Sequence, residues 1–80
     1  MPTALRVDGY RFFFYSDEGH PREPPHIHVR QGRNEAKFWL QPNVCLAYNE
    51  GLDARALNRV QKLVEQHRTR LERAWHEHFA

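Results

Sequence analysis

Cysteine is almost missing from this chain: Cys45 is the only one among 80 residues. One thiol excludes an internal disulfide framework and any metal site built of cysteines alone. Its place between Val44 and Leu46 reads as a small buried hydrophobe. Serine is as rare, with Ser16 alone and no base beside it on its own segment, which leaves little for a serine nucleophile. The four glycines are too scattered for a phosphate-cradling loop. No run of about 18 apolar residues exists to span a membrane. The first residues lack the apolar stretch of a secretion signal, so the expected compartment is the cytoplasm. A dominant charge is lacking too. The formal net charge is +2, from 12 basic and 10 acidic side chains, far from a dedicated nucleic-acid footprint. Eighty residues give one domain, with one modest core and no deep catalytic chamber.

What is present is more informative. An aromatic share of 12% argues against disorder. Ten of the twelve basic residues are arginine, the side chain suited to bidentate contacts with phosphate and carboxylate. The chain divides into a strand-and-turn part, residues 1–50, and a helical part, residues 53–79, joined by an Asn-Glu-Gly-Leu turn. Residues 10–16 are rich in strand-preferring aromatics, with rings on both faces. A loop with Pro21, Pro24 and Pro25 follows. Next come residues 26–30, a Gln-Gly-Arg-Asn hairpin turn, residues 35–40, and a short strand at 44–47.

Strands joined by turns make an antiparallel meander. The expected fold is therefore α+β. An antiparallel sheet of three to four strands (about 10–16, 26–30, 35–40 and 44–47) precedes a C-terminal helix or two helices (about 53–66 and 68–79) packed on one face. Asp53 is a suitable N-cap. Leu57, Val60, Val64, Leu71, Trp75 and Phe79 form one apolar stripe, interrupted near His67 and Arg68. An unbroken helix would be too long for so small a sheet, so a bend or break at about residues 66–69, or an overhang packed on another subunit, is expected.

The chemistry-bearing segment is Pro24-Pro-His-Ile-His-Val29. His26 and His28 are two apart on a strand, so their imidazoles share a face, about 6.5–7 Å apart. Paired imidazoles begin a metal site, with a divalent ion as the expected cofactor and His20, with Glu18 or Asp17 beside it on the preceding loop, to supply a third ligand. The same alternation also arises on an ordinary half-exposed strand, where such histidines are structural or face a partner. In Trp75-His-Glu-His-Phe79, His76 and His78 point apart and suit the helix C-terminus rather than chelation. The sheet face away from the helix would carry Phe13, Tyr15, His26, His28, Arg30, Lys37 and Trp39. Aromatics mixed with cations suit stacked bases and phosphates, or equally a protein interface. An exposed apolar face of that size is unusual on a monomer, so a partner or a second copy is expected to use it.

Gly9-Tyr-Arg-Phe-Phe-Phe-Tyr-Ser16, Pro24-Pro-His-Ile-His-Val29, Glu35-Ala-Lys-Phe-Trp-Leu40 and Trp75-His-Glu-His-Phe79 together resemble a small prokaryotic domain family of unknown function. The resemblance runs from Val7 to Phe79. It implies a gene context beside a second small protein, in pairs similar to toxin–antitoxin modules. It marks Phe13, Pro25, His26, His28, Lys37, Trp39 and Trp75 as motif residues. A Pro-Arg-Glu insertion before Pro24 departs from the pattern and puts His20 in doubt. Pro-His-Ile-His-Val is also similar to stretches of intradiol dioxygenases and of histidine-triad hydrolases. The former need two metal-binding tyrosines and a larger sandwich; the latter need a third His where Arg30 stands.

Three expectations follow. The first is a binding module of a toxin–antitoxin-like pair, contacting a small protein encoded nearby, and RNA or DNA, through the sheet face. The second is a small His-based or metal-dependent hydrolase, acting on RNA, with His26 and His28 as ligands or acid and base. There Arg30 and Lys37 would steady phosphate charge. The third is a structural homodimer subunit. No membrane role is expected.

Overall fold

Two-residue turns set the sheet. At Asp8-Gly9 both residues have positive φ, 54° and 81°, as a type I′ hairpin requires. At Gly32-Arg33 the first central residue is Gly, with φ of 60°, the type II′ pattern. In the computed structural model, which describes residues 3–15 and 23–79, these turns join β1 (Thr3–Val7) to β2 (Tyr10–Phe13) and β3 (His26–Gln31) to β4 (Asn34–Trp39). The edge strand β5 (Cys45–Glu50) follows, then α1 (Ala54–Gln66) and α2 (Arg68–Phe79). The five strands are antiparallel and stand in space in their order along the chain, β1-β2-β3-β4-β5.

The α+β expectation holds, with one strand more than foreseen. β1 was not anticipated. The first foreseen strand ends at Phe13 rather than at residue 16, and the last runs from Cys45 to Glu50 rather than over 44–47. Cys45 is exposed, not buried, because it starts an edge strand beside a turn.

One sheet face makes the core. Phe12, Ile27, Val29, Ala36, Phe38 and Leu40 are fully buried there against Val60, Leu63, Val64, Leu71 and Trp75 of the helices. Asp53 caps α1 by accepting from the Ala56 amide at 2.8 Å. The break falls at His67, as the interrupted stripe required, and the Leu71 amide still bonds the His67 carbonyl at 2.9 Å. α2 therefore turns toward the start of β3. Its Trp75 ring lies 5.6 Å from Phe14 and 4.5 Å from His26. Among the described residues, no helix is long and apolar enough to cross a membrane.

Candidate functional site

Register places the polar face in rows, because directly paired residues point to the same side of a sheet. One row runs Arg6, Arg11, Arg30, Glu35, Glu50 across all five strands. The next runs Thr3, Phe13, His28, Lys37, Tyr48. A third, shorter row holds His26, Trp39 and Cys45.

Glu35 is the hub. Its carboxylate accepts from Arg30 Nη2 at 2.9 Å, from the Tyr15 hydroxyl at 2.9 Å and from the Tyr48 hydroxyl at 2.8 Å. His28 Nδ1 lies 3.4 Å from Glu35 Oε2 and 3.2 Å from the Tyr48 oxygen. The one Tyr48 proton is committed to Glu35. The Nδ1–O contact is then a hydrogen bond only if Nδ1 carries the hydrogen, which assigns the basic lone pair of neutral His28 to Nε2. A carboxylate that fixes an imidazole tautomer is a recurring element of metal and acid–base sites.

The electrostatics follow from these contacts. Burial works against the ionised form of Glu35. The hydrogen bonds from Tyr48, Tyr15 and Arg30, with His28 alongside, outweigh it and hold the carboxyl below its ordinary 4.5. Burial first, then the bond to Glu35, pushes the Tyr48 phenol above its ordinary 10.0. The Glu35 hydrogen bond chiefly raises Arg30, against some desolvation.

Expected site residues are largely brought together, and three of them lie beneath the surface. Phe13 and His26 are fully buried and His28 is 2% exposed. The open face of stacking rings expected from the sequence is thus already filled. Tyr15 and Glu23 fold onto it, the first bonding Glu35 and the second pairing with Lys37 at 3.1 Å. His28 stacks on Phe13 at 5.5 Å and meets Tyr15 edge-on at 4.6 Å. Lys37 also sits 4.5 Å above the Trp39 ring. The homodimer expectation rested on that face being bare. Leu46 is the one large hydrophobic residue exposed among the described residues.

His26 and His28 have ring centroids 5.3 Å apart, and the His26 Nδ1 lies 3.0 Å from the Pro24 carbonyl oxygen. The expected sources of a third ligand, His20 and Glu18 or Asp17, lie outside the described residues. Among the described residues, no group of three His, Cys, Asp or Glu is placed to hold a metal ion.

The stretch of chain that builds this face matches a known family. A family described as a domain of unknown function, DUF4160, matches residues 9–76. The chain belongs to that family. No curated protein and no solved structure matches it. The DUF4160 match takes in the Glu35 hub and its partners from β2 to β5, and leaves β1, with Arg6, ahead of it. Sequence reading of this DUF4160 chain missed Glu35, Tyr48, Arg6 and Arg11. Glu35 looked like an ordinary polar strand residue, and Tyr48 fell just outside the expected strand at 44–47. The signal that could have found Arg6 was Asp8-Gly9, a hairpin dipeptide between the Leu5/Val7 and Tyr10/Phe12 alternations.

Proposed function

We propose that the chain is a binding module, the partner-contacting component of a toxin–antitoxin-like pair, and that a small protein encoded nearby adds an extended segment along β5. The supporting observation is the β5 edge. It has no strand beside it among the described residues, and five of its six residues are exposed. Natural edges are guarded by cations, prolines or bulges. The β1 edge has Arg6 as well as a bulge; β5 has the bulge at its pairing with Lys37 and Phe38 and a single charge, Glu50, at its last residue, with neither Lys, Arg nor Pro within it. Leu46 stands exposed on it, and a hollow of about 440 Å³ lined by Trp39, Pro42, Val44 and Cys45 lies at its Cys45 end. Main-chain pairing with a side-chain anchor in such a hollow is the strand-addition mode of recognition.

The test is coexpression with the product of the adjacent gene, followed by affinity measurement on the purified pair. Leu46→Lys and Trp39→Ala should each weaken the complex at least about tenfold, the effect of losing 1.4 kcal/mol of contact, with unchanged circular dichroism. Wild-type affinity for Leu46→Lys would overturn the β5 reading.

A second reading is favoured by one observation, the Glu35-oriented His28. In it the chain is a His-based hydrolase acting on RNA, with His28 Nε2 as base and Arg30 and Lys37 steadying phosphate charge. Its test pairs RNA cleavage and metal content of untagged wild type with those of His26→Ala/His28→Ala. Cleavage lost in a folded variant supports it, with metal in wild type alone marking the metal-dependent form. No cleavage by wild type removes it.

A further inference from the structure

The end of β5 carries a charge that the fold itself does not need. Glu50 is exposed there and stands directly across from Glu35 of β4. Like charges opposed in this way are destabilising. Glu35 is held by Arg30, Tyr15 and Tyr48, but among the described residues no cation pairs with Glu50. Arg30 is engaged by Glu35, Lys37 by Glu23, Arg59 by Asp8 and Arg68 by Glu72. The negative field of Glu50 is felt at Tyr48, whose phenol is raised first by burial, then by Glu35 and Tyr15, and last by Glu50. A charge that guards a sheet edge is most often Lys, and a Lys there would also have faced Glu35 favourably. For the sheet alone, Glu50 is the costlier sign.

Register sets the two faces of β5. Leu46 pairs with Phe38, which is buried against the helices, so Leu46 extends the helix side of the sheet. Glu50 pairs with Glu35 and extends the polar side. Residues of an added strand lying opposite these two point to opposite sides as well. Side chains alternate along a strand, so the two are an odd number of positions apart. A slip of one position would send the residue facing Glu50 to the helix side.

We infer that the segment added along β5 is basic, which presupposes strand addition at that edge: it brings a Lys or Arg opposite Glu50 and, an odd number of positions away, an apolar residue over Leu46. The polar row then runs Arg30, Glu35, Glu50 and the partner's cation, two acids between two bases. Charge complementarity of this kind sets register and partner choice more than raw affinity. Leu46 gives the segment its apolar contact, and Glu50 decides which segments fit.

The experiment is affinity measurement on the complex with the adjacent gene's product, with charge reversal on both sides. Glu50→Gln should weaken the complex about two- to fivefold and Glu50→Lys about tenfold. The Glu50→Lys loss should shrink as salt rises from about 50 to about 500 mM, because an exposed pair is screened. Urea unfolding of the free Glu50→Lys protein should show stability kept or raised, since Lys faces Glu35 without repulsion. Each Lys or Arg in the partner's segment is then changed to Glu in turn. One such change should restore Glu50→Lys binding to within about twofold of wild type. Wild-type affinity for Glu50→Lys, with Leu46→Lys still weakened, overturns the basic segment and leaves the β5 edge standing. Wild-type affinity for Leu46→Lys, or no complex at all, removes the edge and the basic segment with it. A Glu50→Lys loss that no partner reversal recovers overturns the inference. So does an equal loss for Glu65→Lys, on the exposed side of α1, which would reduce the effect to net charge. Self-association of Glu50→Gln with unchanged affinity would make Glu50 an edge guard and also overturn it.

Discussion

Replacing Glu35 by Gln keeps the shape of the side chain and deletes its charge. Three donors converge on that carboxylate, from Arg30, Tyr15 and Tyr48, and the residue is 8% exposed. Hydrogen bonds to a charged group contribute about 1.5–3 kcal/mol each, roughly twice the neutral kind. The Gln carbonyl can still accept from Tyr15 and Arg30, which share one oxygen, but its amide nitrogen then faces the Tyr48 hydroxyl. The expected net loss is about 2–3 kcal/mol at neutral pH, or roughly 10–20 °C in Tm for a domain of this size. Urea unfolding followed by circular dichroism reads it. The pH dependence supplies a second check. The folded-state pKa of Glu35 is depressed, so its contribution is complete above the ordinary 4.5 and is lost as pH falls through the folded value. The gap between wild type and Glu35→Gln should therefore be full at neutral pH and close below pH 4.5. A loss under about 0.5 kcal/mol, the range of an ordinary surface change, or a gap that stays constant into acid, refutes the hub.

Two further outcomes concern neighbours of this network and one turn. Tyr48→Phe strips a donor from Glu35 and a partner from His28, and should cost about 1–2 kcal/mol by the same unfolding assay. In ultraviolet titration the folded wild type should hold the Tyr48 phenol protonated well past pH 10, and Tyr48→Phe should remove that contribution from the late part of the titration. The raised phenol also means that its share of stability is intact below pH 10 and is lost only as pH climbs toward the folded value. Gly51 has φ of 101°, and a Cβ there would meet the Asn34 amide oxygen. Gly51→Ala should cost about 1–3 kcal/mol, and adding Asn34→Ala should recover the clash but not the backbone strain.

The sequence told most where periodicity was strong. The helical stripe, its interruption at His67 and the Asp53 cap were legible because each is a local pattern with one physical meaning. The polar face was legible only in part. His26, His28, Arg30, Lys37 and Trp39 do lie on one side, as alternation requires. The burial of His26 and His28 was not readable, since Trp75 and Tyr15 reach them from outside the ladder. Glu35 could not be singled out because its importance comes from four partners on other strands or beyond them. The β1 strand escaped notice because Thr3–Val7 is short and Arg6 interrupts its apolar character. Only the turn dipeptide after it marks the hairpin.

The strand order has a kinetic meaning. Each strand pairs with the one just before it, so apart from the loop at residues 14–25 between β2 and β3 the sheet can zip up hairpin by hairpin with short loop closures, the cheap and fast kind. The long closure left over is the return of α2, whose Trp75 meets Phe14 and His26 from the other end of the chain. Chain emerging from a ribosome could lay down the whole ladder before that ring is available. The aromatic clasp at Trp75 would then close late in folding, and substitutions there would speed unfolding far more than they slow folding.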